Sequence, residues 1–269
     1  MTEKHLQDLI ILVKGGGEMA SGVVQRLVRS GLRVCITELP EPIAVRRRVA
    51  FCEAVFTGKT EVEGMIARRV SGEEAIRRCW EKGEVPVVID PACAIREILA
   101  PDVLVDAIVA KRNSGTALSD APLVIGLGPG FRAGKDVHVV IETNRGHHLG
   151  RVIEAGEAEP DTGNPGSIGG YTRERVLRAP ASGVFRAGKR IGDRVEKGEV
   201  VAEVGRVPVA AAISGVVRGI LHDGLMAEPD MKVGDVDPSA SREHCFTVSE
   251  KARAIGGAVL EAVMGKYNR

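Results

Sequence analysis

The stretch "LIILVKGGGEMASGVVQRLV", residues 9–28, most constrains what the first half of this chain can become. A short run of branched apolar residues reads as a buried strand. Three glycines follow, and then Ala20, Val23, Val24, Leu27 and Val28 fall on one helical face that ends at Gly31. Strand, turn and helix alternate again downstream. "LRVCITE" predicts a strand, "AVRRRVAFCEAVF" (44–56) and "EEAIRRCWEKG" predict helices, and "VPVVID", "DVLVDAIVA", "APLVIGLG" and "DVHVVIET" predict further buried strands. Such alternation predicts an α/β fold built on a Rossmann-like, doubly wound parallel sheet. Ligands of such sheets sit at the C-terminal edge of the strands, where the glycine turn falls.

Gly15, Gly17 and Ala20 match G-x-G-x-x-[G/A]. One glycine makes the tight turn, Gly16 and Gly17 let a phosphate approach the backbone, and a small residue packs helix on strand. The N–H groups at the helix start then face the anion. Glu38 ends the next strand, where a carboxylate accepts hydrogen bonds from ribose hydroxyls. Glu18 opposes this reading, because a carboxylate beside a pyrophosphate is repulsive unless a cation intervenes.

Three further segments carry polar groups to predicted strand ends. Lys111, Arg112, Asn113 and Thr116 in "VDAIVAKRNSGT" suit phosphate or carboxylate oxygens, or form a solvated loop. Gly126, Gly128 and Gly130 in "GLGPGF" make a second turn open to close backbone approach, or a rigid Pro-Gly turn. "IETNRGHHLG" brings Glu142, Arg145, His147 and His148. Either histidine is a candidate general acid–base or metal ligand, against a plain loop role. Neighbouring side chains on an extended chain point to opposite sides, so a chelating pair is disfavoured and no metal is expected.

Composition removes other classes of partner. The chain has 37 Lys plus Arg against 36 Asp plus Glu, so no net field recruits nucleic acid or anionic lipid. Aromatic residues make up 3% of it, too few to stack single-stranded bases. No apolar run reaches the ~18 residues of a membrane helix. The start, "MTEKHLQD", lacks the apolar core of a signal peptide, so a cytoplasmic location is expected. Five scattered cysteines without a C-x-x-C pair read as reduced thiols. Cys93 is the one to weigh, because it follows a predicted strand at a helix start that favours thiolate, against the commoner role of a small buried residue.

The second half changes character. With 1–158 as the nucleotide-binding domain, 159–175 reads as a linker rich in glycine and proline, and an internal repeat follows. "SGVFR" (182–186) recurs as "SGVVR" (214–218), and "RIGDRVEKGE" is echoed by "DMKVGDV". Two half-units with G-D-x-V turns resemble the smaller β barrel-sandwich hammerhead of biotinyl and lipoyl carriers, over 176–240. The biotinyl pattern has its acceptor lysine four residues before a proline. Here Pro208 puts Val204 in that place, which leaves a binding or docking role. Residues 241–269 predict a C-terminal helix that packs on one domain; its small-residue face also suits a homo-oligomer.

Taken together, the segments "GGGEMASGV", "EPIAVRRRVAFCEAV", "VDAIVAKRNSGT", "IGLGPGFRAGKDVHVVIETNRGHHLGRVI" and "ERVLRAPASGV" resemble the YqeB-type accessory proteins of selenium-dependent molybdenum hydroxylases, over roughly residues 8–240. The resemblance implies a Rossmann-like domain similar to XdhC-type proteins and a role in maturing a molybdenum hydroxylase. XdhC-like turns carry His where this chain has Glu18. In the accessory reading the ligand is a nucleotide-type small molecule, a pterin dinucleotide carrying molybdenum or a nucleotide linked to selenium delivery, and the partner is the apo-hydroxylase; NAD is the other ligand that the glycine turn suits. The alternative is an NAD-dependent oxidoreductase, with Glu38 on the ribose and His147 or His148 moving a proton.

Overall fold

The computed structural model describes residues 5–164 and 166–268. The chain divides into two compact units, one of 1–42, 51–161 and 248–269, the other of 43–50 and 162–247.

The first unit is built on nine strands: β1 (Ile10–Lys14), β2 (Arg33–Glu38), β3 (Lys59–Val62), β4 (Met65–Arg69), β5 (Val85–Ile89), β6 (Val103–Asp106), β7 (Leu123–Leu127), β9 (Val139–Ile141) and β10 (Val152–Ile153). Between them β8 (Arg132–Ala133) pairs with β11 (Gly156–Glu157) as a separate ribbon. The large sheet runs β10-β9-β7-β6-β1-β2-β5-β4-β3, parallel throughout except at the edge strands β3 and β10. The central strands β6 and β7 are buried along their whole length, which explains why they read as continuous apolar runs rather than alternating ones. From β1 the order goes outward through β2 and β5 on one side and through β6, β7 and β9 on the other, so it reverses at the β1–β6 pair.

The helices of this unit are α1 (Glu18–Arg29), α2 (Ala54–Thr57), α3 (Glu73–Glu81), α4 (Arg96–Leu99) and α5 (Glu250–Tyr267). α1 and α5 approach through glycine. A Cβ on Gly22 would lie 2.5 Å from the Ala252 carbonyl oxygen, and one on Gly256 would meet the Gly22 carbonyl. The small-residue face of the C-terminal helix is therefore occupied within the chain, and α5 runs unbroken through Gly256 and Gly257.

The helix expected over 44–56 does not form. Residues 43–50 are drawn into the second unit, where Val45 accepts a backbone bond from Ile220, Arg46 donates to the carbonyls of His244 and Thr247, and Arg47 donates to that of Ile220. These long-range bonds give the segment's backbone and guanidinium groups partners within the second unit. Only Ala54–Thr57 is helical, after two 3₁₀ turns.

The second unit has two four-stranded antiparallel sheets. Its strands are β12 (Val176–Arg178), β13 (Gly183–Ala187), β14 (Arg194–Val195), β15 (Val200–Val204), β16 (Val207–Ala210), β17 (Gly215–Ile220), β18 (Met226–Ala227) and β19 (Lys232–Asp237). The sheets are β12-β19-β17-β14 and β16-β15-β13-β18. The repeat appears in the pairing: "SGVFR" leads into β13, which sits between β15 and β18, and "SGVVR" leads into β17, which sits between β19 and β14. Each repeat lends its short second strand to the other's sheet. The echo of "RIGDRVEKGE" in "DMKVGDV" is displaced, because Gly192 makes a turn before β14 while Gly234 lies within β19. The structural counterpart is the segment around Asp223 and Gly224, before β18. Val204 is fully buried, and the hairpin tip beyond it is Gly205–Arg206, both with left-handed backbone.

Candidate functional site

The site is built where the strand order of the first unit reverses. Gly15 carries φ +87°, donates to the Thr37 carbonyl, and has the Ile108 backbone 3.3 Å from where a Cβ would lie. Gly16 is tighter, since a Cβ there would come within 2.8 Å of the Cys52 amide, which donates to the Gly16 carbonyl at 2.9 Å. At Gly17 nothing lies within 4 Å of an added Cβ. Gly17 caps α1 without a side-chain acceptor, so the first-turn amides carry the helix's partial positive charge toward this space. Ala20, in the first turn of α1, is fully buried.

Glu38 is bonded to the turn itself. Its carboxylate accepts the Gly16 N–H at 2.7 Å and the Leu39 N–H at 2.8 Å. Burial raises its pKa above the ordinary glutamate value, and these two backbone bonds only partly offset the shift. Glu18 turns toward the start of α5, where its carboxylate accepts the Ser249 N–H at 3.3 Å. Lys251 lies within its electrostatic reach, with an ammonium pushed below its ordinary pKa by burial and then by Arg145, against the pull of Glu18, Glu142 and Asp161.

A buried polar cluster that the sequence reading did not assemble adjoins the turn. Lys14, the last residue of β1, donates to the Thr116 hydroxyl at 2.6 Å and lies 3.2 Å from Asp106, at the end of β6. Thr116 in turn donates to the same Asp106 oxygen at 2.6 Å. The only sequence signal was a lysine ending an otherwise apolar strand. Asn113 shapes the loop that delivers Thr116, accepting the amides of Gly115 and Thr116 and donating to the Thr116 carbonyl. Around the rim Leu39, Ile89 and Ile108, each at or just past a strand end, are 47%, 41% and 46% exposed.

Cys93 lies behind this edge at the end of the β5 connection, buried. Burial raises its thiol pKa, while Thr37 and Lys14 draw it down in part, which fits the expected small buried residue rather than a thiolate at a helix start. The segment after it forms only the four-residue α4. All five cysteines are buried free thiols.

The remaining predicted residues fall elsewhere. Lys111 pairs with Asp161 at 2.7 Å, and the exposed Arg112 presents its backbone to Gly130. The second glycine turn is filled by the chain: Cβ atoms would strike Phe131 at Gly126, Thr143 at Gly128 and the Lys111–Arg112 backbone at Gly130. Glu142 is buried and accepts the amides of Asn144 and Glu159, and Arg145 pairs with Glu250. His147 and His148 are exposed. Their rings meet edge to face with centroids 5.0 Å apart, because the segment turns rather than extends. Among the described residues no group of three His, Cys, Asp or Glu side chains is placed to hold a metal, and no described helix is long and apolar enough to cross a membrane.

The chain matches no protein-family profile. It is 48% identical over 255 residues to the uncharacterized protein YqeB of Escherichia coli (strain K12), which covers 95% of this chain and 47% of that one. The chain thus spans about half the length of this relative. The similarity supports the YqeB-type resemblance and assigns no role. Among solved structures, an aspartoacylase family protein from Mesorhizobium loti aligns at 12% identity and TM-score 0.26, over 85% of this chain and 84% of that one. TcdA (CsdL) aligns at 14% identity and TM-score 0.32, over 96% and 89%. Scores that low establish no shared fold.

Proposed function

We propose that this chain is an accessory factor in the maturation of a selenium-dependent molybdenum hydroxylase, and that its first unit is a Rossmann-like domain holding a nucleotide-containing ligand, a pterin dinucleotide or NAD. The open space at Gly17, at the head of α1 and at the strand-order reversal, carries this reading. A phosphate there meets backbone amides without steric conflict. The objection from Glu18 weakens, since its carboxylate is engaged at Ser249. Exposed Leu39 and Ile108 offer apolar surface for a base. The pathway itself rests on the resemblance of the quoted segments.

The second unit serves in this reading as the hammerhead-like docking module for the apo-hydroxylase. Val184 and Met226 are register partners on β13 and β18 and are 41% and 56% exposed, an apolar pair on an outward sheet face. With Val204 in the carrier position, no lysine is available there for biotin or lipoate.

The test is a strain lacking the gene for this chain that expresses a selenium-dependent molybdenum hydroxylase. Hydroxylase activity and its molybdenum and selenium content should fall, return with the wild-type chain, and stay low with Gly17→Val. Full activity and metal loading without the chain would overturn the accessory role and favour the NAD-dependent oxidoreductase.

A further inference from the structure

We infer that Lys14 is a binding residue for the anionic group at the glycine turn, held in place by Asp106 and Thr116; this rests on the nucleotide reading above. β1 is buried and apolar until its last position, where the chain places a cation that is 12% exposed. Backbone bonds fix Lys14 on both sides: its carbonyl accepts Ala107 N–H, and the next amide, of Gly15, donates to Thr37. The side chain therefore starts from a rigid point one residue before the turn.

The donor count then favours a ligand. An ammonium has three N–H donors. Thr116 takes one and Asp106 attracts a second. Asp106 is well satisfied, because besides Lys14 it accepts from the Thr116 hydroxyl and from the Ile108 N–H at 3.2 Å. Lys14 keeps a donor beyond this pair. A buried ion pair is often no more stabilising than apolar residues of the same volume, so stability alone gives little reason for a lysine at this strand end. A lysine one residue before the turn, with its ammonium anchored by Thr116 and Asp106, is pre-organised for a phosphate or pyrophosphate oxygen.

Lys14 also differs from the cations that the sequence singled out. Lys111 is committed to Asp161 in an exposed pair, and Arg112 is exposed. Because Lys14 recognises charge rather than a base, it should act equally on any ligand with a pyrophosphate.

The experiment is calorimetry on the full chain with inorganic pyrophosphate, ADP and adenosine. Lys14→Met should weaken pyrophosphate and ADP at least tenfold and leave adenosine unchanged. Lys14→Arg should retain ADP binding within about threefold. Thr116→Val, which frees one anchor of the ammonium, should weaken pyrophosphate a few-fold, and it decides the question if Lys14→Met does not fold. A merely structural lysine would lower affinity for adenosine and ADP alike. Wild-type protein that binds ADP, with Lys14→Met or Thr116→Val binding it as tightly, would overturn the role of Lys14 and leave the nucleotide reading standing. Wild-type protein that binds none of the three would overturn the nucleotide reading itself.

Discussion

The two glycine turns of the first unit, Gly15–Gly17 after β1 and Gly126–Gly130 at the end of β7, are alike in composition and opposite in use. In the later turn each glycine admits a piece of the chain: the Phe131 ring, the Thr143 side chain and the Lys111–Arg112 backbone. In the earlier turn the chain fills the space at Gly15 and Gly16 but leaves it open at Gly17. Glycine signals that something must come close, and the identity of the visitor depends on what the fold has already placed there. The helix start belongs to the earlier turn alone, so the open position is also the one at the head of a helix that no side chain caps.

The sharpest way to break the comparison is to add a side chain at a filled position. Gly130 has φ +103° and backbone 2.5 Å from an added Cβ, so Gly130→Ala should cost about 3 kcal/mol or more in urea unfolding. A cost under 1 kcal/mol would mean that the turn is looser than its contacts indicate.

At the open position the effects should separate. Gly17→Ala should cost no more than about 1 kcal/mol, the N-cap preference of glycine over alanine, since φ there is −68° and nothing meets the methyl. Gly17→Val should likewise fold, yet lose about tenfold in dinucleotide affinity, or ~1.4 kcal/mol. Equal affinity in calorimetry would move the ligand away from this turn.

Glu38 tests how firmly the earlier turn is tied down. Because its folded pKa is raised by burial, the folded state holds the proton more tightly than the unfolded one. Its contribution is therefore full below the ordinary glutamate pKa and is lost as the pH rises through the higher folded value. Chemical denaturation at a series of pH values should show stability falling across that window, and Glu38→Gln should remove the slope. The opposite slope would mean that the bonds to Gly16 and Leu39 outweigh burial.

The smallest effect on stability is expected beyond the filled turn. His147→Ala and His148→Ala remove exposed rings and should change unfolding by less than about 0.5 kcal/mol. Hydroxylase maturation should nonetheless drop if the loop serves the partner or ligand. Unchanged maturation with both alanines would reduce the pair to surface residues.

Six strands of the large sheet, β1, β2, β5, β6, β7 and β9, and the helices α1, α3 and α5 are legible because a buried strand and an amphipathic helix write their periods into adjacent residues. The hairpin β3–β4 and the two-residue edge strand β10 are not legible, since their burial is slight and their residues are mixed or few. The failure over 44–56 has a different cause: helical spacing was present, but Arg46 and Arg47 found carbonyls more than 170 residues away.

The sequence by itself determined where the buried parallel strands of the large sheet lie, apart from β4, where the chain must turn on glycine, and that a charge sits at the end of β1. Those are local matters of period, φ and composition. Tertiary structure alone decided which glycine remains open, that Glu18 answers to Ser249 at a separation of 231 residues, and that Lys14 meets Thr116 at a separation of 102. Such contacts depend on which strands become neighbours, and strand order follows from burying the whole sheet at once rather than from any one segment.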